Sequence, residues 1–173
     1  MLHPIEFNAQ DLAHVQDFDC GNEPWEMEVS NWLKAPSGQG GALDDILNLG
    51  AKVWLYQEQG DGALVGVGSL GLHTVRYKNP KKGPPTPTFV IPGLGLARAF
   101  WGKPKGDEKN RYSRQVMNHL IETARAEKAV NDVELIMLVV HKANTHAIKL
   151  YREYNFEDHG PKDANYNRMV AVL

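Results

Sequence analysis

Apolar residues recur along this chain at two different periods, and the switches between them outline the elements. Trp25, Val29, Trp32 and Leu33 fall at i, i+4, i+7 and i+8, which is one face of a helix. Asn22 can cap that helix with Pro24 in its second position, and Asp19-Cys20-Gly21-Asn22 before it is turn material. Pro36 to Gly41 breaks the helix and can serve as a lid or as a plain loop. Ala42 to Leu49 reads as a short second helix ended by Gly50. Pro4 to Asn8 suits a short first strand. Lys52 to Gln57 and Ala63 to Val75 have strand composition and flank the turn Gly60-Asp61-Gly62, so they predict an antiparallel hairpin.

Lys78 to Pro87, rich in proline and lysine, reads as a surface loop. Phe89 to Trp101 is apolar and strand-like, but Pro92, Gly93 and Gly95 imply an irregularity such as a bulge. Gly102 to Asn110 is polar. Val116, Met117, Leu120, Ile121 and Ala124 then mark an amphipathic helix. Leu135 to Val140 is a short unbroken apolar run between polar residues, which suits a strand buried on both faces. Thr145 to Tyr154 is helical, and Asn165 to Leu173 reads as a final strand.

The order is strand, two helices, three strands, helix, strand, helix, strand. That predicts one α/β domain over residues 1–173 with a central mixed sheet. The strand–helix–strand crossover through Val116 to Ala126 implies at least one parallel pairing. Hydrophobic residues at 42% and charged residues at 23% describe an ordinary globular chain. Lys plus Arg number 19 and Asp plus Glu 21, so the net charge of −2 gives no overall attraction to nucleic acid or to an anionic membrane. Cys20 is the one cysteine, so there is no internal disulfide, and a reducing cytoplasm is the expected setting. No apolar run approaches the ~20 residues of a membrane span, and the first residues do not resemble a signal peptide.

The chemistry concentrates at Asn144, Ala147, Tyr151 and Phe156. The first three lie three and then four residues apart, on one helical face just after the apolar run. An Asn there can cap the helix and hold a ligand amide, an Ala leaves room for a ligand chain, and a Tyr hydroxyl can donate a proton to a leaving thiolate. Taken alone, Asn144 reads equally as an N-cap and Tyr151 as a core aromatic. Together with the strand before them, the four residues resemble the C-terminal motif N-x-x-A-x-x-x-Y-x-x-x-x-F of the GNAT superfamily of N-acetyltransferases.

That resemblance implies a mixed, mostly antiparallel sheet with a splayed parallel strand pair and flanking helices. It implies acetyl-CoA as acetyl donor and an amine acceptor, either a small molecule or a protein. Tyr151 would be the general acid, with Asn144 and Ala147 on the donor. The strand Leu94 to Trp101 would offer backbone groups to the pantetheine arm, best at Ala99, Phe100 and Trp101. A homodimer is common in the resembled family.

The family also binds the donor's pyrophosphate on glycine-rich backbone at a helix start. Here the equivalent stretch is longer, and Arg111 and Ser113 stand where glycines are usual. Within the stretch Lys109, Asn110, Arg111, Tyr112, Ser113 and Arg114, either the side chains of Lys109, Arg111, Ser113 and Arg114 substitute for close backbone contacts to the phosphates, or the loop no longer binds coenzyme A and is a solvated basic loop partly offset by Asp107 and Glu108. Phe18 to Glu23 is further similar to the opening of a GNAT branch that includes toxins acetylating aminoacyl-tRNA. Such a toxin would need a basic face, drawn from Lys78, Lys81, Lys82, Lys103 and Lys105. A degenerate, non-catalytic binding domain is the third reading. His73 and His141 are the candidate general bases. No metal-ligand spacing stands out.

Overall fold

The computed structural model describes residues 1–60, 62–76, 84–104, 107 and 109–173. Asp61 of the expected turn, residues 78–83 of the expected loop with Lys78, Lys81 and Lys82, and Lys105, Gly106 and Glu108 lie outside the described residues. Among the described residues, eight strands are β1 (Leu2–Glu6), β2 (Lys52–Glu58), β3 (Leu64–Val75), β4 (Thr86–Ile91), β5 (Leu94–Leu96), β6 (Leu135–His141), β7 (Glu157–Pro161) and β8 (Tyr166–Val172). Four α-helices among the same residues are α1 (Pro24–Lys34), α2 (Ala42–Leu49), α3 (Tyr112–Asn131) and α4 (Thr145–Glu153). The sheet order is β1-β2-β3-β4-β6-β8-β7, with β5 also on β3. Among the described residues, all pairings are antiparallel except β4 with β6. The expected mixed, mostly antiparallel α/β sheet with one parallel pair is therefore present.

Two compact units divide the chain: Met1–Leu70 with Gly93–Leu120, and Gly71–Pro92 with Ile121–Leu173. In the first, a core of Phe7, Val15, Phe18, Leu33, Leu43, Val53, Leu55 and Val67 gathers α1 and α2 onto the sheet. Gly95 is small because α1 lies on it: a Cβ there would meet Cys20 Sγ at 2.5 Å and Val29 Cγ1 at 2.9 Å. The turn before α1 is pinned by Asp19 Oδ1, which accepts the Gly21 N–H at 2.8 Å, and by Ser30 Oγ, which accepts the Cys20 N–H at 3.0 Å. Between α1 and α2 the glycine-rich loop is clamped, because the Asp44 carboxylate accepts the N–H groups of Gly38 and Gly40 at 2.7 and 2.6 Å. Those bonds hold the Asp44 carboxyl below its ordinary value.

In the second unit, β4 and β6 pair in register at only Phe89↔Ile136, Val90↔Met137 and Ile91↔Leu138, and β6 then continues to His141 without β4. Beyond β6, α4 turns back and β7 and β8 close the edge.

Several boundaries differ from expectation for physical reasons. β1 covers Leu2–Glu6 rather than Pro4 to Asn8, because Asn8 caps the 3-10 turn Ala9–Ala13 and its Oδ1 accepts the Gln10 N–H at 2.9 Å. Glu23, not Asn22, occupies the cap of α1, with Pro24 in the first position and the Glu26 carboxylate accepting the Glu23 N–H at 2.9 Å. Thr86 and Pro87, expected in the loop, begin β4. α3 starts at Tyr112, four residues before Val116. β7, an exposed strand of mostly polar residues, had no periodic signal.

Candidate functional site

The loop from β6 leads to α4 through Asn144. Its Oδ1 accepts the Ala147 N–H at 3.1 Å, so the cap reading is correct, and its amide NH2 has no partner among the described residues. Tyr151 lies on the same face and is 8% exposed. Its hydroxyl has no hydrogen-bond partner among the described residues, and burial pushes the phenol above its ordinary value. The phenol is therefore held protonated, with its proton uncommitted.

Phe156 completes this arrangement for a reason visible in the backbone. Asn155 takes the left-handed conformation, φ 62°. Its N–H donates to the Arg152 carbonyl at 3.0 Å, and the Phe156 N–H donates to the Tyr151 carbonyl at 3.1 Å. That is a Schellman stop, which carries a hydrophobic contact between the residue after the left-handed position and one in the last turn. Here the contact is Phe156 against Tyr151, ring centroids 6.1 Å apart. The five-residue gap is the spacing this stop requires.

In the other unit, the expected strand from Leu94 to Trp101 is corrected. Extended structure ends at Leu96, and Arg98–Phe100 form a 3-10 turn with Trp101 after it. The N–H groups of Phe100 and Trp101 donate to the carbonyls of Ala97 and Arg98 at 2.8 and 3.3 Å. Ala99, Phe100 and Trp101 are thus not an extended edge.

The edge lies earlier. Gly93 and Ala97 direct their backbone bonds toward β3, through Ser69 N–H to Gly93 O at 2.9 Å and Ala97 N–H to Val65 O at 2.8 Å. Strand alternation then points the backbone groups of Leu94 and Leu96 away from β3. Of these, the Leu96 carbonyl accepts Trp101 Nε1–H at 3.1 Å. Sequence reasoning takes the strand as Leu94 to Trp101 and puts its best positions at Ala99, Phe100 and Trp101, because three residues give no readable alternation.

At the start of α3, most backbone donors are engaged. Tyr112 N–H donates to Lys103 O at 2.9 Å, and the N–H groups of Arg114 and Gln115 donate to Arg111 O at 2.9 and 3.1 Å. Ser113 N–H has no partner among the described residues. Asn110 is taken by Asp107, whose carboxylate accepts its side-chain amide at 2.6 Å and its N–H at 3.2 Å. The Tyr112 side chain is buried, its hydroxyl donates to Glu58, and its ring meets Phe100. Tyr112 therefore anchors the helix to β2. The side chains of Lys109, Arg111, Ser113 and Arg114 also lie at this helix start.

Of the two histidines, His141 works within its turn: Nδ1 accepts the Ala143 N–H at 3.2 Å, and its ring stands edge-on to Tyr166 at 5.0 Å. His73 lies opposite Thr88 in the β3–β4 pair, with Nε2 buried and without a partner among the described residues. Lys103, expected on a basic face, holds its Nζ 5.3 Å from the Phe100 ring.

The model of the acetyltransferase (GNAT) family matches residues 19–156, well over half the chain. Curated protein sequences include no match. Among solved structures, a bacterial toxin superposes with a TM-score of 0.72 at 15% identity, covering 99% of this chain and 90% of that one. AtaTR bound with acetyl-CoA gives 0.67 at 12% identity, covering 99% and 92%. A GNAT-family acetyltransferase from Staphylococcus aureus Mu50 gives 0.61 at 15%, covering 100% and 99%. At these identities the likenesses speak for the fold. The family match over residues 19–156 assigns function class as well: this chain belongs to the GNAT acetyltransferases and is an acyltransferase.

Proposed function

We propose that this enzyme transfers the acetyl group of acetyl-CoA to an amine by direct attack, with Tyr151 as general acid. The amine nitrogen bonds to the acetyl carbon, the carbon–sulfur bond breaks, the sulfur takes the Tyr151 proton, and the amine loses a proton to water or a base. The observation that carries this is the Tyr151 phenol, buried and held protonated with an uncommitted hydroxyl proton. A raised phenol is a weaker acid in water. In the same poorly solvated place a departing thiolate is also the stronger base, so the transfer stays matched.

The rest of the donor reading follows chemical fit. Leu94 and Leu96 offer outward backbone groups suited to an extended amide chain, and they replace Ala99, Phe100 and Trp101 in that role. Asn144 offers its amide NH2 and Ala147 its small side chain. The backbone at α3 is largely satisfied internally, so Lys109, Arg111, Ser113 and Arg114 would hold phosphate chiefly through side chains. His73 is the better-placed candidate base, by its open buried nitrogen. Calorimetric titration with acetyl-CoA tests the whole reading, and no binding at millimolar donor would sink it. Tyr151→Phe is expected to cut turnover by about 10²–10⁴-fold while donor affinity holds. Equal loss of both would make Tyr151 structural.

A second reading, a toxin acetylating aminoacyl-tRNA, is favoured by the Phe18–Glu23 opening and by the fold shared with a bacterial toxin across 99% of the chain. AtaTR and acetyl-CoA were crystallised together; an antitoxin partner for this chain belongs to the same reading. Growth arrest on expression, relieved by Tyr151→Phe, would select it.

A further inference from the structure

β3 is one unbroken strand, yet its partner along one edge changes midway. Gly71–Val75 pair with β4 and Gly66–Gly68 with β5. Between Gly71↔Val90 and Gly68↔Leu94, β3 has Ser69 and Leu70 where the facing chain has Ile91, Pro92 and Gly93. The facing chain thus carries one extra residue, a β-bulge, which bends a strand and disrupts its ladder.

Ser69 repairs that ladder. Its hydroxyl accepts the Gly93 N–H at 2.8 Å and donates to the Gly93 carbonyl at 3.0 Å, while its own N–H donates to the same carbonyl at 2.9 Å. Ser69 is fully buried and Gly93 is buried, so water cannot replace these bonds. From another side Gly93 is capped by Trp32: a Cβ on Gly93 would lie 2.5 Å from the indole ring. The Trp32 Nε1–H donates to Asp45 at 2.7 Å, which fixes that ring. Gly93 is thus gripped by a hydroxyl and by an indole, one residue before Leu94.

We infer that Ser69 is a positioning residue for the donor. Its hydroxyl sets the bulge at Gly93 and thereby the register in which Leu94 and Leu96 present their outward backbone groups to the pantetheine arm. The inference rests on β5 being the donor strand.

Calorimetry on the intact protein, with acetyl-CoA and with adenosine 3′,5′-bisphosphate, separates the possibilities, because the second ligand lacks the arm. Ser69→Ala is expected to weaken acetyl-CoA binding about tenfold and to leave the bisphosphate unchanged. If Ser69→Ala does not fold, Ser69→Cys, close in size and weak in hydrogen bonding, takes its place with a several-fold loss expected. Unchanged acetyl-CoA affinity in the folded Ala or Cys variant overturns the inference. So does an equal loss for both ligands, which marks general loosening. A wild-type protein that does not bind acetyl-CoA overturns the donor reading instead.

Discussion

At the scale of single residues, the proposed phosphate contacts gather at the start of α3. A glycine-rich loop offers backbone N–H groups to phosphate. At the start of α3 the N–H groups of Tyr112, Arg114 and Gln115 are already bonded within the chain. In the proposed donor reading, Arg111 and Arg114 bring charge-assisted hydrogen bonds to the phosphates. The expected outcome for Arg111→Ala with Arg114→Ala is a loss of acetyl-CoA affinity of at least about tenfold, since each charged hydrogen bond is worth about 1.5–3 kcal/mol. The slope of log Kd against log salt would fall in the same variant. Calorimetry at several salt concentrations reads both, and unchanged affinity would place the phosphates elsewhere.

At the scale of elements, α4 shows why part of the site was legible in the sequence. Cap, small residue, tyrosine and stop are all local, so Asn144, Ala147, Tyr151 and Phe156 could be placed from spacing. Asn155 carries the stop, because a left-handed residue other than glycine or asparagine is strained by about 1–2 kcal/mol. It is exposed, so no packing confuses the test. Asn155→Ala is expected to destabilise by about 1 kcal/mol and Asn155→Gly to be neutral or slightly stabilising, read as denaturant midpoints at constant slope. A loss with Gly equal to that with Ala would mean the asparagine side chain, not the backbone, holds the turn. β5 was illegible for the opposite reason. Gly93 and Gly95 look like strand irregularities in sequence, but their smallness answers to Trp32, Cys20 and Val29 on another segment. Tyr112 likewise opens α3 early because Glu58 on β2 receives its hydroxyl. The Pro36 to Gly41 loop has flexible composition, yet Asp44 ties it down. No periodicity within a window reports such partners.

At the scale of the whole molecule, the two compact units each consist of two separate stretches of chain. Strand β3 runs through the boundary at Leu70 and Gly71, and helix α3 runs through the boundary at Leu120 and Ile121, both without a break. Unfolding either unit alone would cut a continuous strand and a continuous helix and leave their backbone groups unpaired, which is costly where they are buried. The chain is therefore expected to unfold as one domain, in a single transition whose calorimetric and van't Hoff enthalpies agree. Acetyl-CoA at about a hundred times its Kd adds about 2.7 kcal/mol to the folded state. In a chain of this size that corresponds to about 5–10 °C in Tm. Because folding is one event, the donor should move the entire transition and not a part of it. Two transitions, with only one displaced by acetyl-CoA, would show that the units melt independently and would locate donor binding in the unit that shifts.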